Sequence, residues 1–199
     1  MADPLFDMVK NDNIFREQNP VEIQRCTEFL MGKGISTILE IGFRIGGSCA
    51  YWLELNPSLL MTIDHTDTVV RNSGSEHYAI AQTMHNRFDH ELDRRGGDYI
   101  RIDGNSHSEV VLAHVHNILT AYGLTVDYMF IDGDHDYDGV KQDFEQYSQF
   151  MSPHGFIGFH DINRADGVRR LWEEIKGRKI SVEFIDAGVE YGIGVISNE

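Results

Sequence analysis

The stretch "STILEIGFRIGGS", residues 36–48, joins an apolar, β-branched run to a glycine-rich turn. The run predicts a buried strand, because β-branched side chains fit a pleated, packed surface. Glycines let the backbone approach a ligand closely, and the N–H groups that begin a helix can hold polar or anionic atoms. The stretch therefore predicts a strand–turn–helix unit of an α/β sheet with a ligand at the turn.

Four more strand-like runs follow, and amphipathic helical patterns separate them. Asn19 is the expected N-cap of a helix that begins at Pro20. Alternation of strand and helix predicts a parallel sheet with helices on both faces. Ser73 with Glu76, and Ser106 with Glu109, have the spacing of capping boxes that begin two of the later helices. The four runs are residues 59–64, 98–103, 126–132 and 155–161.

The chain closes with "ISVEFIDAG" (180–188) and "EYGIGVIS" (190–197), two strand-like runs with no room for a helix between them. They predict an antiparallel hairpin, because a parallel return needs a dozen or more residues. The expected fold is α/β and Rossmann-like, with a seven-stranded, mostly parallel sheet and an antiparallel C-terminal hairpin. Residues 1–199 are expected to form a single domain, with residues 1–17 as an N-terminal extension.

Composition limits the classes of partner. The formal net charge of the 199-residue chain is −15, which disfavours nucleic acid and anionic membranes. No apolar run is long enough to span a bilayer, and the N-terminus lacks the pattern of a secretory signal. The two cysteines, Cys26 and Cys49, lie in predicted helices and do not suggest a disulfide framework. A cytoplasmic protein is expected.

The acidic stretch "IDGDHDYDGVKQDFE" (131–145) admits two interpretations. From Asp134 to Glu145 it matches the calcium loop of an EF-hand. However, "TVDYMFIDG" upstream indicates a strand, whereas an EF-hand needs a helix there. The pattern downstream predicts a helix with Glu145 on its surface, four residues after Lys141. The second interpretation, a strand end that carries catalytic groups, is therefore favoured.

Polar side chains follow several predicted strands and should meet at one edge of the sheet. Asp64 is placed to accept hydrogen bonds from ribose hydroxyls. The dinucleotide fingerprint G-x-G-x-x-G is broken, because Arg44 stands where its second glycine would be. An adenosine ligand without a pyrophosphate fits better, since the carboxylate of Glu40 would repel a pyrophosphate. Asp132 and His135 lie at the carboxyl end of the run at 126–132, and His160 and Asp161 lie at the carboxyl end of the run at 155–161.

"ILEIGFRIGGS", "TID", "VDYMFIDGDHDYDGVKQDFEQYSQFMSPHGFIGFHDI" and "GVRRLWEEI" resemble segments of the class I S-adenosylmethionine-dependent methyltransferases. Within that class they are similar to the family with macrocin-type sugar O-methyltransferases and cephalosporin hydroxylase-like proteins. The resemblance covers roughly residues 18 to 196. It implies the Rossmann-like methyltransferase fold and S-adenosylmethionine as cofactor.

The resemblance also assigns roles to residues. His135 would be the general base, with Asp132 as its catalytic partner. A divalent metal, magnesium first and manganese or another ion as alternatives, would bind Asp132, His160 and Asp161. The residues implied for the cofactor are Glu40, Gly42, Gly46, Asp64, Asn105 and Ser106.

The implied reaction is metal-assisted O-methylation of a hydroxyl on a sugar or other small molecule. A bound cation lowers the pKa of a hydroxyl, and a nearby imidazole can take its proton. A non-catalytic adenosine- or metal-binding protein and an NAD-dependent dehydrogenase are the alternatives. Residues 65–97 and the N-terminal segment should determine the acceptor, and a homo-oligomer that completes the site remains open.

Overall fold

The computed structural model of the chain describes residues 18–177, 181–188 and 191–198, and the side chains of 66–74 fall outside this description. The predicted N-terminal extension, residues 1–17, therefore lies outside the described residues. No helix in the described ranges is long and apolar enough to cross a membrane.

Seven strands form one sheet in the order β3-β2-β1-β4-β5-β7-β6. Strands β1 to β5 pair in parallel, whereas β7 runs antiparallel to both β5 and β6. The predicted mostly parallel sheet with an antiparallel C-terminal hairpin is thus confirmed. The strands are β1 (Thr37–Ile41), β2 (Leu59–Asp64), β3 (Asp98–Asp103), β4 (Val126–Ile131), β5 (Met151–Phe159), β6 (Ser181–Phe184) and β7 (Ile193–Ser197).

Helices cover both faces of the sheet, as alternation predicted. Asn19 caps the first helix, since its side chain accepts a hydrogen bond from the Val21 N–H at 2.8 Å. The helices are α1 (Pro20–Leu30), α2 (Gly47–Trp52), α3 (Thr66–Arg95), α4 (Glu109–Tyr122), α5 (Tyr137–Tyr147) and α6 (Asp166–Ile175), with short 3-10 turns at Leu53–Leu55 and Ser148–Phe150.

Two apolar layers result from the alternation of side chains along each strand. In β1, Ile38 packs with α1, α2 and α3, while Leu39 and Ile41 pack with α4, α5 and α6. All five residues of β1 are buried, as expected for a central strand of a parallel sheet. Burial on both faces gives the carboxyl end of β1, and the turn after it, a rigid base.

Two of the predicted helix starts are wrong. Helix α3 begins at Thr66, so Ser73 and Glu76 lie within a continuous helix and do not begin one. Helix α4 is capped by Ser108, whose hydroxyl oxygen accepts from the Val110 N–H at 3.2 Å, and not by Ser106. The Ser-x-x-Glu spacing was therefore misleading in both places: the first helix begins seven residues before Ser73, and the second is capped two residues after Ser106.

Candidate active site

The turn after β1 rests on a buried carboxylate. Glu40 is fully buried, and its two carboxylate oxygens accept hydrogen bonds from the Ser48 hydroxyl and the Cys49 thiol at the start of α2. Burial raises the pKa of Glu40 to about 8, although the two hydrogen bonds favour the charged form. Glu40, implied for the cofactor, therefore lies beneath the turn and ties β1 to α2.

Because Glu40 holds its proton in the folded state up to about pH 8, whereas an unperturbed glutamate loses it near pH 4.5, the stability of the fold should depend on pH. Between these values the unfolded chain releases a proton that the folded chain keeps, so stability falls as pH rises. We expect Glu40→Gln to remove this loss: relative to the variant, wild type should lose roughly 3–5 kcal/mol of unfolding free energy between pH 4.5 and 8.5. Urea unfolding at several pH values measures it.

The matched control is Glu54→Gln, at an exposed carboxylate near the end of α2. Its stability should follow that of wild type at every pH. Parallel pH profiles for wild type and Glu40→Gln would show that the buried carboxylate does not hold a proton.

Gly42 and Gly46 fit the turn for different reasons. Gly42 has φ +95°, and a Cβ on it would lie 2.2 Å from the carbonyl oxygen of Asp132. Gly46, with φ +80°, is the N-cap of α2, and a Cβ there would meet the rings of Phe43 and Phe88. The turn is thereby pressed against the loop after β4, so the predicted cofactor turn and the predicted catalytic loop share a backbone contact.

Asp64 binds the same turn from β2. Its Oδ2 accepts from the backbone N–H groups of Phe43 at 3.1 Å and Arg44 at 2.5 Å, and its Oδ1 accepts from the His65 N–H at 2.7 Å. Burial raises the pKa of Asp64, and these amides oppose the rise. A carboxylate has about four acceptor positions, so the predicted ribose contact can coexist with the turn contacts.

An aromatic layer that the sequence patterns did not indicate supports the turn from α3 and β3. The imidazole of His85 stacks on the ring of Phe43 with centroids 3.9 Å apart. Its Nδ1 lies 2.5 Å from the Tyr99 hydroxyl, which lies 2.8 Å from the hydroxyl of Thr62. Burial lowers the pKa of His85 to about 3, so this imidazole is neutral at physiological pH and acts in packing and hydrogen bonding.

The loop after β3 lies beside Asp64 and contains Asn105 and Ser106. The N–H of Gly104 donates to the carbonyl of Asp64 at 2.9 Å. The Asn105 side chain accepts from the His107 N–H at 2.9 Å, and the carbonyl of Ser106 accepts from the Tyr147 hydroxyl at 2.7 Å. Asn105 and Ser106, implied for the cofactor, therefore adjoin the predicted ribose carboxylate at one edge of the sheet.

Four ionisable side chains meet after β4 and β5. Nδ1 of His160 lies 3.0 Å from Oδ1 of Asp132 and 3.6 Å from Oδ1 of Asp161. Nε2 of His135 lies 3.2 Å from Oδ2 of Asp161 and 3.6 Å from Oδ1 of Asp132. The structure thus brings together the predicted base and all three predicted metal ligands. Each of Asp132, His135 and Asp161 offers a ligand atom within 4.8 Å of the others.

Charges within this acid–histidine cluster reinforce one another. Burial opposes the ionisation of Asp132, but His160 and His135 outweigh it and hold the pKa of that carboxyl well below its usual range. Burial likewise opposes the charged form of His160, yet Asp132 and Asp161 raise its pKa to about 10. The neighbouring carboxylate of Asp132 raises the pKa of His135 against the effect of burial.

The cluster has an exposed side and a buried side. His135 is 50% exposed, whereas the side chain of His160 is 2% exposed. Asp161 adopts a left-handed conformation with φ 60°, which non-glycine residues rarely adopt and which often marks a functional site. His135 is therefore the most exposed member of the cluster.

Residues outside the predicted motifs border the cluster. The side-chain amide of Gln18 donates to Oδ2 of Asp132 at 3.3 Å. The ring of Tyr191 stacks on His160 with centroids 5.8 Å apart, and the guanidinium of Arg164 lies 4.8 Å from the Tyr191 ring centre. Neither Gln18 nor Tyr191 has a sequence pattern that could have revealed it, because each reaches the site from a segment distant in the chain.

The loop from Asp134 to Glu145 does not have EF-hand architecture. The element that precedes the loop is strand β4, as the sequence "TVDYMFIDG" indicated, and not the helix that an EF-hand requires. Oδ1 of Asp134 accepts from the Asp136 N–H at 2.9 Å, which is a turn-forming contact. The side chain of Glu145 is 63% exposed and lies 3.8 Å from the ammonium of Lys141, as predicted for a helix surface.

Solved methyltransferase structures share this fold over nearly the whole chain, as three examples show. An O-methyltransferase from Bacillus cereus in complex with SAH aligns with 99% of this chain and 92% of its own, with a TM-score of 0.66 and 17% identity. TomG from Streptomyces achromogenes, an O-methyltransferase of tomaymycin synthesis in complex with SAM, aligns with 99% of this chain and 91% of its own, with a TM-score of 0.60 and 15% identity. The methyltransferase PaMTH1 of Podospora anserina, bound to SAH, aligns with 98% of this chain and 88% of its own, with a TM-score of 0.57 and 15% identity. These likenesses show the fold.

Sequence comparisons give one partial relative and one family. The uncharacterized protein y4gI of Sinorhizobium fredii is 32% identical over 75 residues, which are 36% of this chain and 8% of that protein. The chain thus spans a small part of the length of that relative. The family described as "Methyltransferase domain" matches residues 39–162, from β1 to the end of the acid–histidine cluster. Because this match covers more than half of the chain, the chain belongs to that family.

Proposed function

We propose that the protein transfers a methyl group from S-adenosylmethionine to a hydroxyl oxygen of a small molecule, with a divalent cation at the acid–histidine cluster. The observation that carries this proposal is the convergence of Asp132, His135, His160 and Asp161 beside the glycine turn. Membership of the methyltransferase family favours it over the dehydrogenase alternative. The similar Bacillus cereus and Streptomyces achromogenes structures, which hold SAH and SAM, support the cofactor.

The proposed cofactor site runs along the carboxyl ends of β1, β2 and β3. The turn at 42–46 would face the methionine half, Asp64 the ribose, and the loop with Asn105 and Ser106 the adenine. The turn amides of Phe43 and Arg44 donate to Oδ2 of Asp64 and thereby fix the orientation of the carboxylate. A ribose hydroxyl would therefore bind a carboxylate that is already oriented. Preorganised acceptors of this kind reduce the entropic cost of binding.

The donor set of the cluster fits a divalent cation. The carboxylates of Asp132 and Asp161 offer ligand atoms within 4.8 Å of each other, and Oδ1 of Asp161 is buried without an aligned hydrogen-bond donor among the described residues. These two carboxylates would hold the ion together with the predicted third ligand, His160, whose Nδ1 lies 3.0 Å and 3.6 Å from them, and His135 would stay free to act as the base. Imidazole nitrogen is a softer donor than carboxylate oxygen, so manganese or another transition ion should compete well with magnesium. When bound, the cation would lower the pKa of an acceptor hydroxyl.

His135 would take the proton of the acceptor hydroxyl at its Nε2. Asp132 and Asp161 lie within 3.6 Å and 3.2 Å of that nitrogen and would stabilise the imidazolium that forms. The 50% exposure of His135 leaves space for an acceptor to approach. The remaining contribution of the protein would be to orient oxygen and sulfonium for in-line transfer, which is proximity catalysis.

The acceptor class rests on the family resemblance at the acidic loop and at residues 160–161, which favours a sugar or another small hydroxyl compound. The net charge of −15 disfavours nucleic acid and membrane surfaces as substrates and is consistent with a cytoplasmic enzyme. Gln18, Arg164 and Tyr191 border the acid–histidine cluster and would form part of the acceptor wall, alongside α3. A neighbouring copy of the chain could supply the rest of that wall.

Calorimetric titration with S-adenosylhomocysteine tests the cofactor assignment. We expect wild type to bind it and Asp64→Asn to bind about 10–100-fold more weakly, because charge-assisted hydrogen bonds to the ribose are lost. Asp89→Asn, at an exposed position of α3, is the control and should bind as wild type does. Repeating the titration with magnesium and with manganese reports on the cation.

Absence of binding by wild type, with or without either ion, would contradict the proposed cofactor. Binding without turnover of any sugar or phenol acceptor would instead favour the non-catalytic adenosine-binding alternative. Binding that is equal in wild type and Asp64→Asn would remove the ribose role of Asp64 while leaving the cofactor in place.

A further inference from the structure

A charged side chain occupies the buried face of α5. Asp143 is 0% exposed and shares its helix face with Val140 and Tyr147, which pack in the core. Neither carboxylate oxygen has a well-aligned hydrogen-bond donor among the described residues, although Ser106 and His107 both lie close enough to favour the charged form of Asp143. Burial raises the pKa of Asp143 to about 6. A buried carboxylate with so few hydrogen bonds is costly, and an apolar side chain of similar volume would often be more stable there.

An imidazole of the loop after β3 lies close to Asp143. Nε2 of His107 lies 3.3 Å from Oδ1 of Asp143, with the His107 side chain 22% exposed. Two neighbours of Asp143 on α5 bind the same loop: the Tyr147 hydroxyl donates to the Ser106 carbonyl at 2.7 Å, and the Gln142 amide donates to the His107 carbonyl at 3.4 Å. Three side chains of one helix thus hold a single short loop.

The other side of that loop faces the proposed cofactor site. The loop begins at Gly104, whose N–H binds the carbonyl of Asp64, and the His107 N–H binds the side chain of Asn105. The backbone of His107 is therefore held by the Asn105 side chain, and its ring is in contact with the Asp143 carboxylate. A shift of the His107 ring would move Asn105 and Ser106 relative to Asp64.

Helix α5 also follows the loop that carries the acid–histidine cluster. It begins at Tyr137, after Asp132 and His135, and Asp136 is its N-cap. Helix α5 therefore follows directly from the loop after β4, and side chains further along the same helix contact the loop after β3. It sets the distance between the proposed adenine side and the proposed catalytic side of the site.

We propose that Asp143 is a positioning residue for the cofactor: through His107 it holds the 104–108 loop where the nucleoside half of S-adenosylmethionine requires it. The inference rests on the proposed function, because it assigns a role in binding that cofactor. Asp143 touches neither cofactor nor acceptor. It acts on the adenosine half of the ligand and leaves the methionine half unaffected.

Titration of Asp143→Asn and His107→Gln with two ligands tests the proposal. S-adenosylhomocysteine contains both halves of the cofactor, whereas 5′-methylthioadenosine lacks the amino-acid portion. We expect the dissociation constant to rise about tenfold for both ligands, by the same factor, with unchanged stoichiometry. The double variant should bind no more weakly than the weaker single variant, because both substitutions break one pair.

The control is Glu145→Gln, which removes a carboxylate from the exposed face of the same helix and should bind both ligands as wild type does. His107→Gln is the safer variant for folding, since its side chain is partly exposed and glutamine retains a donor. Urea unfolding of each variant, measured alongside, separates a loss of stability from a loss of affinity.

A purely structural role predicts a different result. Lower unfolding free energy with unchanged dissociation constants, or reduced stoichiometry with unchanged constants, would overturn the proposal. So would a larger loss for S-adenosylhomocysteine than for 5′-methylthioadenosine, since the effect would then lie on the methionine side. If wild type binds neither ligand, the proposed function itself fails, which is distinguishable from failure of the variants alone.

Discussion

Replacing His135 with glutamine is expected to lower turnover by about 10²–10⁴-fold, the usual contribution of a general base. Binding of S-adenosylhomocysteine should remain close to that of wild type, because the contacts of the His135 ring are with Asp132 and Asp161, whereas the turn amides bind Asp64. Glutamine keeps much of the volume and polarity of the side chain but cannot take a proton from the acceptor. Steady-state methyl transfer and calorimetric titration on the same preparation measure the two quantities.

The matched control for His135 is His154→Gln, at an exposed histidine in β5. That variant should retain the turnover of wild type. If His135→Gln also retains it, His135 is not the base. An equal loss of turnover and cofactor affinity would indicate that the loop has collapsed and that the histidine supports structure rather than proton transfer.

The second large effect is expected for Gly42→Ala. The new Cβ would lie 2.2 Å from the carbonyl oxygen and 2.6 Å from the carbonyl carbon of Asp132, and the backbone at φ +95° disfavours any L-residue. Backbone strain and overpacking each cost about 1–3 kcal/mol, so we expect a loss of roughly 3–5 kcal/mol in unfolding free energy. The displaced Asp132 should also reduce methyl transfer.

The control variant Gly123→Ala separates the cost of backbone strain from the cost of the steric clash with Asp132. Gly123 has φ +66° at the end of α4, and a Cβ there would meet nothing within 4 Å. This control should lose about 1 kcal/mol from strain alone. Equal losses for both variants in urea unfolding would mean that the approach of the turn to Asp132 has no energetic consequence.

Much of the fold was predictable because its local signals are strong. The strand-like runs at 59–64 and 98–103 predicted β2 and β3 to the residue, and the missing helix between the last two runs predicted the hairpin. The order of the strands was not predictable from these patterns, since pairing across the sheet depends on packing between distant segments. Strand β5 begins at Met151 and not at Gly155, because Ser-Pro-His resembles a turn when read without its neighbour β4.

The candidate site divides in the same way. Asp132, His135, His160 and Asp161 were found because each follows a strand, and carboxyl ends of parallel strands meet at one edge. The burial of Glu40 was not foreseen, since an acid at the end of a strand resembles one that faces a ligand. For Asp143 a signal existed: its spacing from Val140 and Tyr147 places a charge on an apolar helix face. No pattern, however, indicated His107 as its partner.

The insertion of β7 between β5 and β6 imposes an order on folding during synthesis. Strand β6 pairs with β7, and β7 pairs with β5, so β6 cannot join the sheet until β7 has left the ribosome. Until then, β5 presents an unpaired edge, and Trp172 lacks the cover of Gly194 in β7. The nascent chain therefore passes through a state with an open, apolar sheet edge, which is the kind of surface that chaperones protect.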